Sequence, residues 1–234
     1  YSHIKTKSLC LFLHNASYEK VENIIDSTKL YKTILISPRD SMPSLLGLGY
    51  LLTKDLKVKI PKNTEKFMYW YNFLEKGNLY NKDVFIRRTK ENDAVILHSG
   101  GTTGTPKNIV LTNGNINAIM EQAKIIFNDI GPGDKFLSIL PMFHCFGLVV
   151  NICCPLMFSA EVILIPQFDA KRFDKLIRKY QPNILLGVPT LFEALIKNPY
   201  MQGLDMSNIK YVVSGGDTLS IEKNEKVQKW RKKG

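Results

Sequence analysis

The strongest constraint on the fold is an alternation of short apolar runs with helical periods from Asp93 onward. Residues 94–97 form an apolar run that is typical of a buried strand. In 113–127 the apolar residues recur at steps of three and four positions, which indicates a helix. The same criteria predict further strands at 109–111, 136–140, 161–165, 183–188 and 209–214, and further helices at 146–158, 170–180, 190–197 and 220–232. This alternation predicts an α/β fold with a mostly parallel sheet flanked by helices on both faces.

The first part of the chain has a less regular pattern. It predicts helices at 21–27, 47–53 and 67–75, and a strand at 33–37. We therefore divide the chain into an N-terminal α/β portion, 1–92, and a regular α/β core, 93–234. With 234 residues and 44% hydrophobic content, the chain can bury the core of one sizeable domain or of two small ones.

The charge balance favours anionic partners. Lys and Arg number 32 against 21 Asp and Glu, which gives a formal net charge of +11. Lysines concentrate in 54–66 and 223–233. A surface of this sign attracts nucleotides, acidic lipids or nucleic acid, although the same lysines would also form an ordinary solvated surface. Neither segment interleaves aromatic residues as a nucleic-acid platform does, so we expect no nucleic-acid partner.

The cysteine pattern argues against a disulfide framework or a zinc site. The four cysteines are Cys10, Cys145, Cys153 and Cys154. They include no CxxC pair and no histidine at zinc-ligand spacing, and scattered thiols favour a reducing compartment. The apolar stretch 147–166 is interrupted by Asn151 and Pro155. It predicts a buried helix followed by a buried strand rather than a membrane span.

The segment that carries chemistry is the loop after the strand at 94–97. In order it contains Ser99, Gly100, Gly101, Thr102, Thr103, Gly104, Thr105, Pro106 and Lys107. Glycines let the backbone turn tightly and approach a ligand closely. Because the hydroxyl groups can donate hydrogen bonds and the lysine supplies a point charge, the loop is a predicted phosphate-binding site.

This loop differs from the Walker A loop of many nucleotide-binding proteins. The Walker pattern places Gly directly before the lysine and Ser or Thr directly after it. Here Pro106 and Asn108 flank Lys107, and a predicted strand follows instead of a helix. We therefore expect backbone amides and hydroxyl groups at a turn between two strands, and not a helix dipole, to hold phosphate.

Four segments in this order resemble the superfamily of AMP-forming acyl-CoA synthetases, adenylation domains and luciferases. The first is the glycine loop together with Leu-Thr-Asn-Gly-Asn at 111–115. The others are Pro-Met-Phe-His-Cys-Phe-Gly at 141–147, Gly-Val-Pro-Thr at 187–190 and Ser-Gly-Gly-Asp-Thr-Leu at 214–219. In the last segment, Asp217 and Thr218 stand where a small residue and Pro are common. The chain resembles a fragment of a long-chain fatty acid–CoA ligase.

The resemblance implies roles for particular residues. It assigns ATP binding to Ser99, Gly100, Gly101, Thr102, Thr103, Gly104, Thr105, Lys107, Gly215 and Gly216. Of these, Thr102, Thr103 and Lys107 would hold the β- and γ-phosphates, and Thr102 would also serve the metal ion. His144 would be catalytic, because a donor or cation there shields the negative charge that builds up as carboxylate and phosphate meet. Without the family, a core or capping role is the better interpretation of His144, and the two glycines fit a strand-end turn equally well.

The reaction implied by the resemblance is that of an ATP-dependent acid–thiol ligase. A carboxylate oxygen attacks the α-phosphorus of ATP, which releases pyrophosphate and forms an acyl-adenylate. The thiol of CoA then takes the acyl group, and Mg²⁺ assists. The apolar surroundings of the motifs favour a fatty or other hydrophobic acid. We expect a cytoplasmic enzyme, and peripheral association with the inner face of a membrane is compatible with it.

The resemblance also implies that the chain is a truncated large N-terminal domain, with 93–234 as its ATP-binding core. The family's Tyr-Gly-x-Thr-Glu segment, its ribose-binding Asp and its small C-terminal domain would lie beyond Gly234. We therefore expect the 234 residues alone to form no acyl-adenylate. Two alternatives remain open: an amino-acid adenylation domain that loads a carrier protein, and a basic, non-enzymatic module that binds membranes or nucleic acid.

Overall fold

The computed structural model describes residues 8–58, 61, 65–80, 86–99, 107–166, 168–218 and 220–231, with side chains up to 228 at the C-terminal end. It divides into two compact units, Tyr1–Arg87 and Arg88–Gly234. The division precedes the predicted 92/93 boundary because the carbonyl groups of Lys90 and Asn92 accept hydrogen bonds from the amides of Gly114 and Asn113, at 2.8 and 3.0 Å. The short segment before Asp93 thus packs with the second unit. That both units are portions of one large domain stays a prediction.

The first unit contains a three-stranded parallel sheet in the order β1-β2-β3. Its strands are β1 (Cys10–His14), β2 (Lys32–Ile36) and β3 (Phe67–Tyr69), and its helices are α1 (Tyr18–Ile25), α2 (Ser44–Thr53) and α3 (Trp70–Gly77). Short 3-10 helices occupy Asn15–Ser17, Pro38–Ser41 and Asp55–Lys57. One buried hydrophobic cluster of this unit consists of Leu13, Tyr18, Ile25 and Leu35.

The sequence pattern is wrong about the start of the helix predicted at 67–75. Phe67–Tyr69 is a strand, and the helix begins at Trp70. Phe67 pairs with Thr33 and Tyr69 pairs with Leu35 across the sheet. Strand β1, which the pattern does not predict, pairs along the other side of β2. In both places a neighbouring strand supplies backbone partners that no local pattern reveals.

The second unit begins with an antiparallel hairpin. Its strands are β4 (Asp93–His98) and β5 (Asn108–Thr112), and their pairing confirms the predicted turn between two strands. The prediction that the first of them is buried is wrong, because the sheet has two strands and no residue of β4 is buried. Helix α4 (Asn113–Ile126) follows directly. The Thr112 side chain accepts a hydrogen bond from the Asn115 amide at 3.2 Å, and Asn115 Oδ1 accepts one from the Thr112 amide at 3.0 Å. This reciprocal capping fixes the point at which the strand becomes a helix.

A four-stranded parallel sheet forms the rest of the second unit, in the order β7-β6-β8-β9. Its strands are β6 (Lys135–Ser138), β7 (Glu161–Leu164), β8 (Ile184–Gly187) and β9 (Tyr211–Ser214). The helical elements are α5 (Cys145–Leu148), a π-helical stretch (Val149–Cys153), α6 (Cys154–Met157), α7 (Phe173–Tyr180), α8 (Pro189–Lys197) and α9 (Ile221–Arg231), with 3-10 turns at Ala170–Arg172 and Pro199–Met201.

Helices cover both faces of this sheet, as the sequence predicts. Phe136, Ile184 and Leu186 pack in one buried cluster with residues of α4 and of the π-helical stretch. Leu137 and Leu185, which alternate with them along the strands, pack in a second cluster with residues of α7, α8 and α9. Successive side chains of a strand point to opposite faces, so the two clusters are the two sides of one sheet.

The apolar segment after β6 is helical from Cys145 to Met157, with a π-helical middle. It buries Val149, Asn151 and Cys154, which confirms the predicted buried helix followed by a strand. Among the residues that the structure describes, no helix is long and apolar enough to cross a membrane.

Candidate functional site

The two ends of the glycine loop lie side by side at the tip of the hairpin. The Ser99 amide donates to the Lys107 carbonyl at 3.0 Å, and the Lys107 amide donates to Ser99 Oγ at 3.2 Å. The Lys107 side chain is exposed to solvent. The remaining predicted phosphate-binding residues, Gly100, Gly101, Thr102, Thr103, Gly104 and Thr105, lie outside the described residues. The hairpin therefore presents one lysine and one serine at the mouth of the predicted phosphate loop.

One contact at the base of this loop was not predicted. His98 Nδ1 and Asn108 Oδ1 lie 2.7 Å apart across the two strands. The two residues are opposite each other in the hairpin register. A histidine and an asparagine directly flanking the loop on both sides are the sequence signal that could have identified this cross-strand contact.

His144 caps the helix that follows β6. Its Nδ1 accepts a hydrogen bond from the Phe146 amide at 3.3 Å, and its own amide donates to the Pro141 carbonyl at 3.1 Å. An accepting Nδ1 leaves the proton of the neutral ring on Nε2, which is then a hydrogen-bond donor. No residue in the described part of the chain is hydrogen-bonded to Nε2. The capping interpretation of His144 is thus confirmed, and it leaves the other ring nitrogen available to a ligand.

The turn before this helix is held by an unusually close backbone approach at Gly147. A Cβ atom at this position would lie 2.1 Å from the Pro141 carbonyl oxygen. Only glycine permits the helix to begin so close to the preceding turn. The position of His144 between these two residues is therefore set by backbone packing and not by its side chain alone.

A cavity of about 680 Å³ lies beside His144, and we call it the site cavity. It is bounded by β5, α4, the helix after His144 and the turn after β9. Its lining residues are Leu111, Asn115, Ile116, Ala118, Ile119, His144, Cys145, Phe146, Val149, Val150 and Gly216. Most of these side chains are apolar, and none is a carboxylate. The size and the lining are those of a small-molecule pocket with few polar groups.

The two predicted glycines of the 214–219 segment, Gly215 and Gly216, are each required for a different structural reason. Gly216 lines the site cavity and has a φ of +83°, a conformation that other residues rarely adopt. Gly215 lies behind the ring of Phe146, where a Cβ atom would be 2.8 Å from the ring carbon Cζ. The structure therefore brings Gly216 and His144 to one cavity, while Gly215 lets the Phe146 ring approach. A contact of either glycine with adenine stays a prediction.

The thiols of the second unit differ sharply in their surroundings. Cys145 is exposed and lines the site cavity, whereas Cys154 is buried. Burial and, to a smaller extent, the neighbouring Cys153 raise the pKa of the Cys154 thiol to about 11. All four cysteines are free, and the described residues contain no group of three or more His, Cys, Asp or Glu that could hold a metal ion.

Comparison with known proteins extends these observations. A sequence model of the AMP-binding enzyme family matches residues 19–233. A long-chain-fatty-acid–CoA ligase of Bacillus subtilis (strain 168) is 31% identical over 95% of this chain and 39% of its own length. A 4-coumarate-CoA ligase of Narcissus pseudonarcissus is 28% identical over 80% of this chain and 34% of its own length.

Solved structures share the fold. A natural red emitting luciferase from Phrixothrix hirtus superposes with a TM-score of 0.74 at 23% identity, over 97% of this chain and 40% of that one. The ATP-bound MatB from Rhodopseudomonas palustris superposes with a TM-score of 0.71 at 20% identity, over 98% and 39%. The predicted fold class is confirmed, and the chain spans about two fifths of the length of these proteins.

Proposed function

We propose, from the premise that this chain belongs to the family of AMP-binding enzymes, that its second unit binds ATP and a hydrophobic carboxylic acid as part of an acid–thiol ligase. The acid would be activated as an acyl-adenylate and transferred to CoA. The observation that carries the proposal is the convergence of His144 and Gly216, which are far apart in the sequence, on one apolar cavity. That cavity is also lined by Leu111, from the strand that leaves the glycine loop.

The hairpin tip supports the ATP half of the proposal. Lys107 is exposed at the end of the loop, where its ammonium group is accessible to a phosphate. Ser99 contributes a hydroxyl group beside it, at hydrogen-bond distance from the Lys107 amide. A lysine that acts as a point charge suits the outer phosphates, which carry most of the negative charge of ATP.

The lining of the site cavity supports a hydrophobic acid over an amino acid. An amino-acid substrate would bring an ammonium group that needs a carboxylate partner once it is desolvated. Among the described residues, no Asp or Glu lines the cavity. Asp217 follows Gly216 directly, but its Oδ1 accepts a hydrogen bond from the Thr218 amide at 2.7 Å and it is not a lining residue. The amino-acid adenylation alternative is therefore the less supported of the two.

His144 would act as a hydrogen-bond donor in the reaction. Because Nδ1 is occupied by the Phe146 amide, Nε2 carries the proton of the neutral ring and can donate into the site cavity. A donor fixed by its own helix cap needs no reorganisation when charge develops on the reacting oxygen atoms. In this proposal one imidazole has two roles, because Nδ1 caps the helix and Nε2 donates to the reacting atoms.

Mg²⁺ and CoA are proposed from the family. Mg²⁺ would neutralise charge on the phosphates when bound. The hydroxyl predicted to serve it belongs to Thr102, which lies outside the described residues. Within the described ranges no cluster of metal-binding side chains offers a competing site. We therefore propose the Thr102 hydroxyl group and the phosphate oxygens of ATP as the ligands of the cation.

Titration calorimetry of nucleotides tests the ATP site, because the chain spans 39% of the related ligase and binding can be measured without turnover. We expect Lys107→Ala to weaken ATP binding by about tenfold or more, the value of one hydrogen bond to a charged group. The affinity for AMP should stay the same, since AMP lacks the outer phosphates. Lys175→Ala, which removes an exposed lysine of α7, is the matched control. Unchanged ATP affinity of Lys107→Ala would remove the main support for the phosphate loop.

Binding of non-hydrolysable acyl-sulfamoyl adenosines tests which class of carboxylic acid the site accepts. We expect a dodecanoyl analogue to bind more tightly than a phenylalanyl analogue, because its hydrocarbon chain matches the apolar lining. His144→Asn keeps a capping side chain and should leave thermal stability intact while it weakens binding of the analogue. Tighter binding of the phenylalanyl analogue would favour the amino-acid alternative instead.

A further inference from the structure

Helix α2 of the first unit has an apolar exposed side. Leu45, Leu48 and Leu52 follow one another at steps of three and four residues and therefore share one face. That face points to solvent, with exposures of 82, 54 and 60%. Leu46 and Leu56 are also exposed, at 65 and 68%. Helices on a protein surface normally expose polar residues there, so a contiguous apolar face indicates a binding surface.

The opposite side of α2 is firmly anchored. Gly47 is its one fully buried residue, and a Cβ atom at this position would lie 3.3 Å from the Arg39 side chain. Arg39 Nε in turn lies 3.5 Å from the buried Asp55 carboxylate, which also accepts hydrogen bonds from Ser37 Oγ and Asn15 Nδ2 at 2.9 Å. The leucine face is therefore held outward by packing beneath it.

The charges beside this face are positive. Helix α2 itself contains no charged residue, and Lys54 and Lys57 follow it directly. In the described part of the chain neither lysine has an ion-pair partner. The nearby acidic groups are used internally, since Asp55 is held as above and Asp40 accepts a hydrogen bond from the Ser37 amide at 2.8 Å. Further lysines follow in the sequence up to Lys66.

We propose that α2 and the lysines after it form a docking surface for an anionic lipid membrane. The face defined by Leu45, Leu48 and Leu52 would enter the boundary between headgroups and acyl chains, and Lys54 and Lys57 would contact lipid phosphate. An apolar face and a basic segment together supply the two attractions that stable peripheral binding requires. A protein surface as partner would have to match the same combination of aliphatic and uncompensated positive groups.

Vesicle sedimentation of the whole chain tests this proposal. We expect binding to vesicles of phosphatidylcholine with phosphatidylglycerol, and much weaker binding to vesicles of phosphatidylcholine alone. Raising the salt concentration from about 0.1 M to about 1 M shortens the Debye length from about 10 Å to about 3 Å and should release most of the protein. Equal binding to both kinds of vesicle would overturn the electrostatic half of the proposal.

Two pairs of substitutions separate the two attractions. Leu45→Gln with Leu48→Gln should lower the affinity for anionic vesicles by about tenfold or more. Lys54→Gln with Lys57→Gln should lower it by about fivefold for each lysine. The matched controls are Ile125→Gln, at an aliphatic side chain that is 80% exposed on α4, and Lys171→Gln with Lys175→Gln, at exposed lysines near α7.

All of these variants change exposed side chains, and circular dichroism verifies that each one folds. Loss of binding in the α2 variants with retained binding in the controls supports the proposal. Equal losses in the controls would attribute binding to overall charge and overturn it. Concentration-dependent self-association in the absence of vesicles, abolished by Leu45→Gln with Leu48→Gln, would also overturn it, because the leucine face would then bind a second copy of the chain.

Discussion

Gly147 offers a sharp test of how backbone packing positions the candidate site. In Gly147→Ala the new Cβ atom would lie 2.1 Å from the Pro141 carbonyl oxygen and 2.7 Å from its carbonyl carbon. Ordinary contact begins at 3.4 Å, so the first approach is 1.3 Å too short. Both opposing atoms belong to the backbone, and no change of side-chain rotamer can relieve the overlap. The helix that begins at Cys145 must therefore move away from the turn before it.

We expect Gly147→Ala to lower the free energy of unfolding by an amount at the upper end of the range for overpacked interiors. Inserting a methyl group into a packed interior costs about 1–3 kcal/mol. A loss of about 3 kcal/mol corresponds to a melting temperature lower by about 6–12 °C for a chain of this size. His144 is hydrogen-bonded to Pro141 on one side and to Phe146 on the other. The displacement of the helix should therefore also move His144 and weaken binding of the acyl-sulfamoyl adenosine.

Thermal unfolding followed by circular dichroism measures the first effect, and calorimetry measures the second. The control is Gly131→Ala, where a Cβ atom would have no neighbour within 4 Å and the backbone needs no positive φ. The melting temperature of this control should equal or slightly exceed that of the unsubstituted chain, because alanine lowers the conformational entropy of the unfolded state. If Gly147→Ala had the same melting temperature as Gly131→Ala, the close approach to Pro141 would not constrain the site, and the reasoning would fail.

The remaining predictions concern titrating groups. Since burial raises the pKa of Cys154 to about 11, iodoacetamide at a pH of about 8 should alkylate the exposed Cys10 and Cys145 and leave Cys154 unmodified until the chain is denatured, as mass spectrometry would reveal. Early alkylation of Cys154 would contradict its burial. A hydrogen bond from Lys223 lowers the pKa of Glu193 below 4.5, so the stability from this pair is present above pH 4.5 and lost as the pH falls through the lowered value. Lys223→Gln should therefore lower the melting temperature at neutral pH, and the difference from the unsubstituted chain should vanish in acid. A difference that persists in acid would mean that the stabilisation comes from packing of the Lys223 side chain and not from its ion pair.

Much of the second unit could be predicted from local sequence patterns. The strand at 94–97, the helix from Asn113 and the cap at Thr112 all depend on residues within a few positions of each other. The same holds for the helix cap of His144, whose partner is two residues away. Such features follow from backbone geometry and side-chain spacing, which any short window of sequence contains.

Other features depended on partners far away in the sequence, and only the tertiary structure decided them. Phe67–Tyr69 is a strand because β2 lies beside it, and Gly215 is a glycine because the Phe146 ring packs against it. The exposure of the leucines on α2 likewise cannot be read from their own neighbours.

The alternation of apolar runs and helical periods from Asp93 onward determined a parallel sheet covered on both faces, because period and length select secondary structure locally. It did not determine that His144 and Gly216 would line one cavity beside the strand from the glycine loop. That convergence arises from the order of the strands across the sheet, which long-range packing sets and no local period encodes.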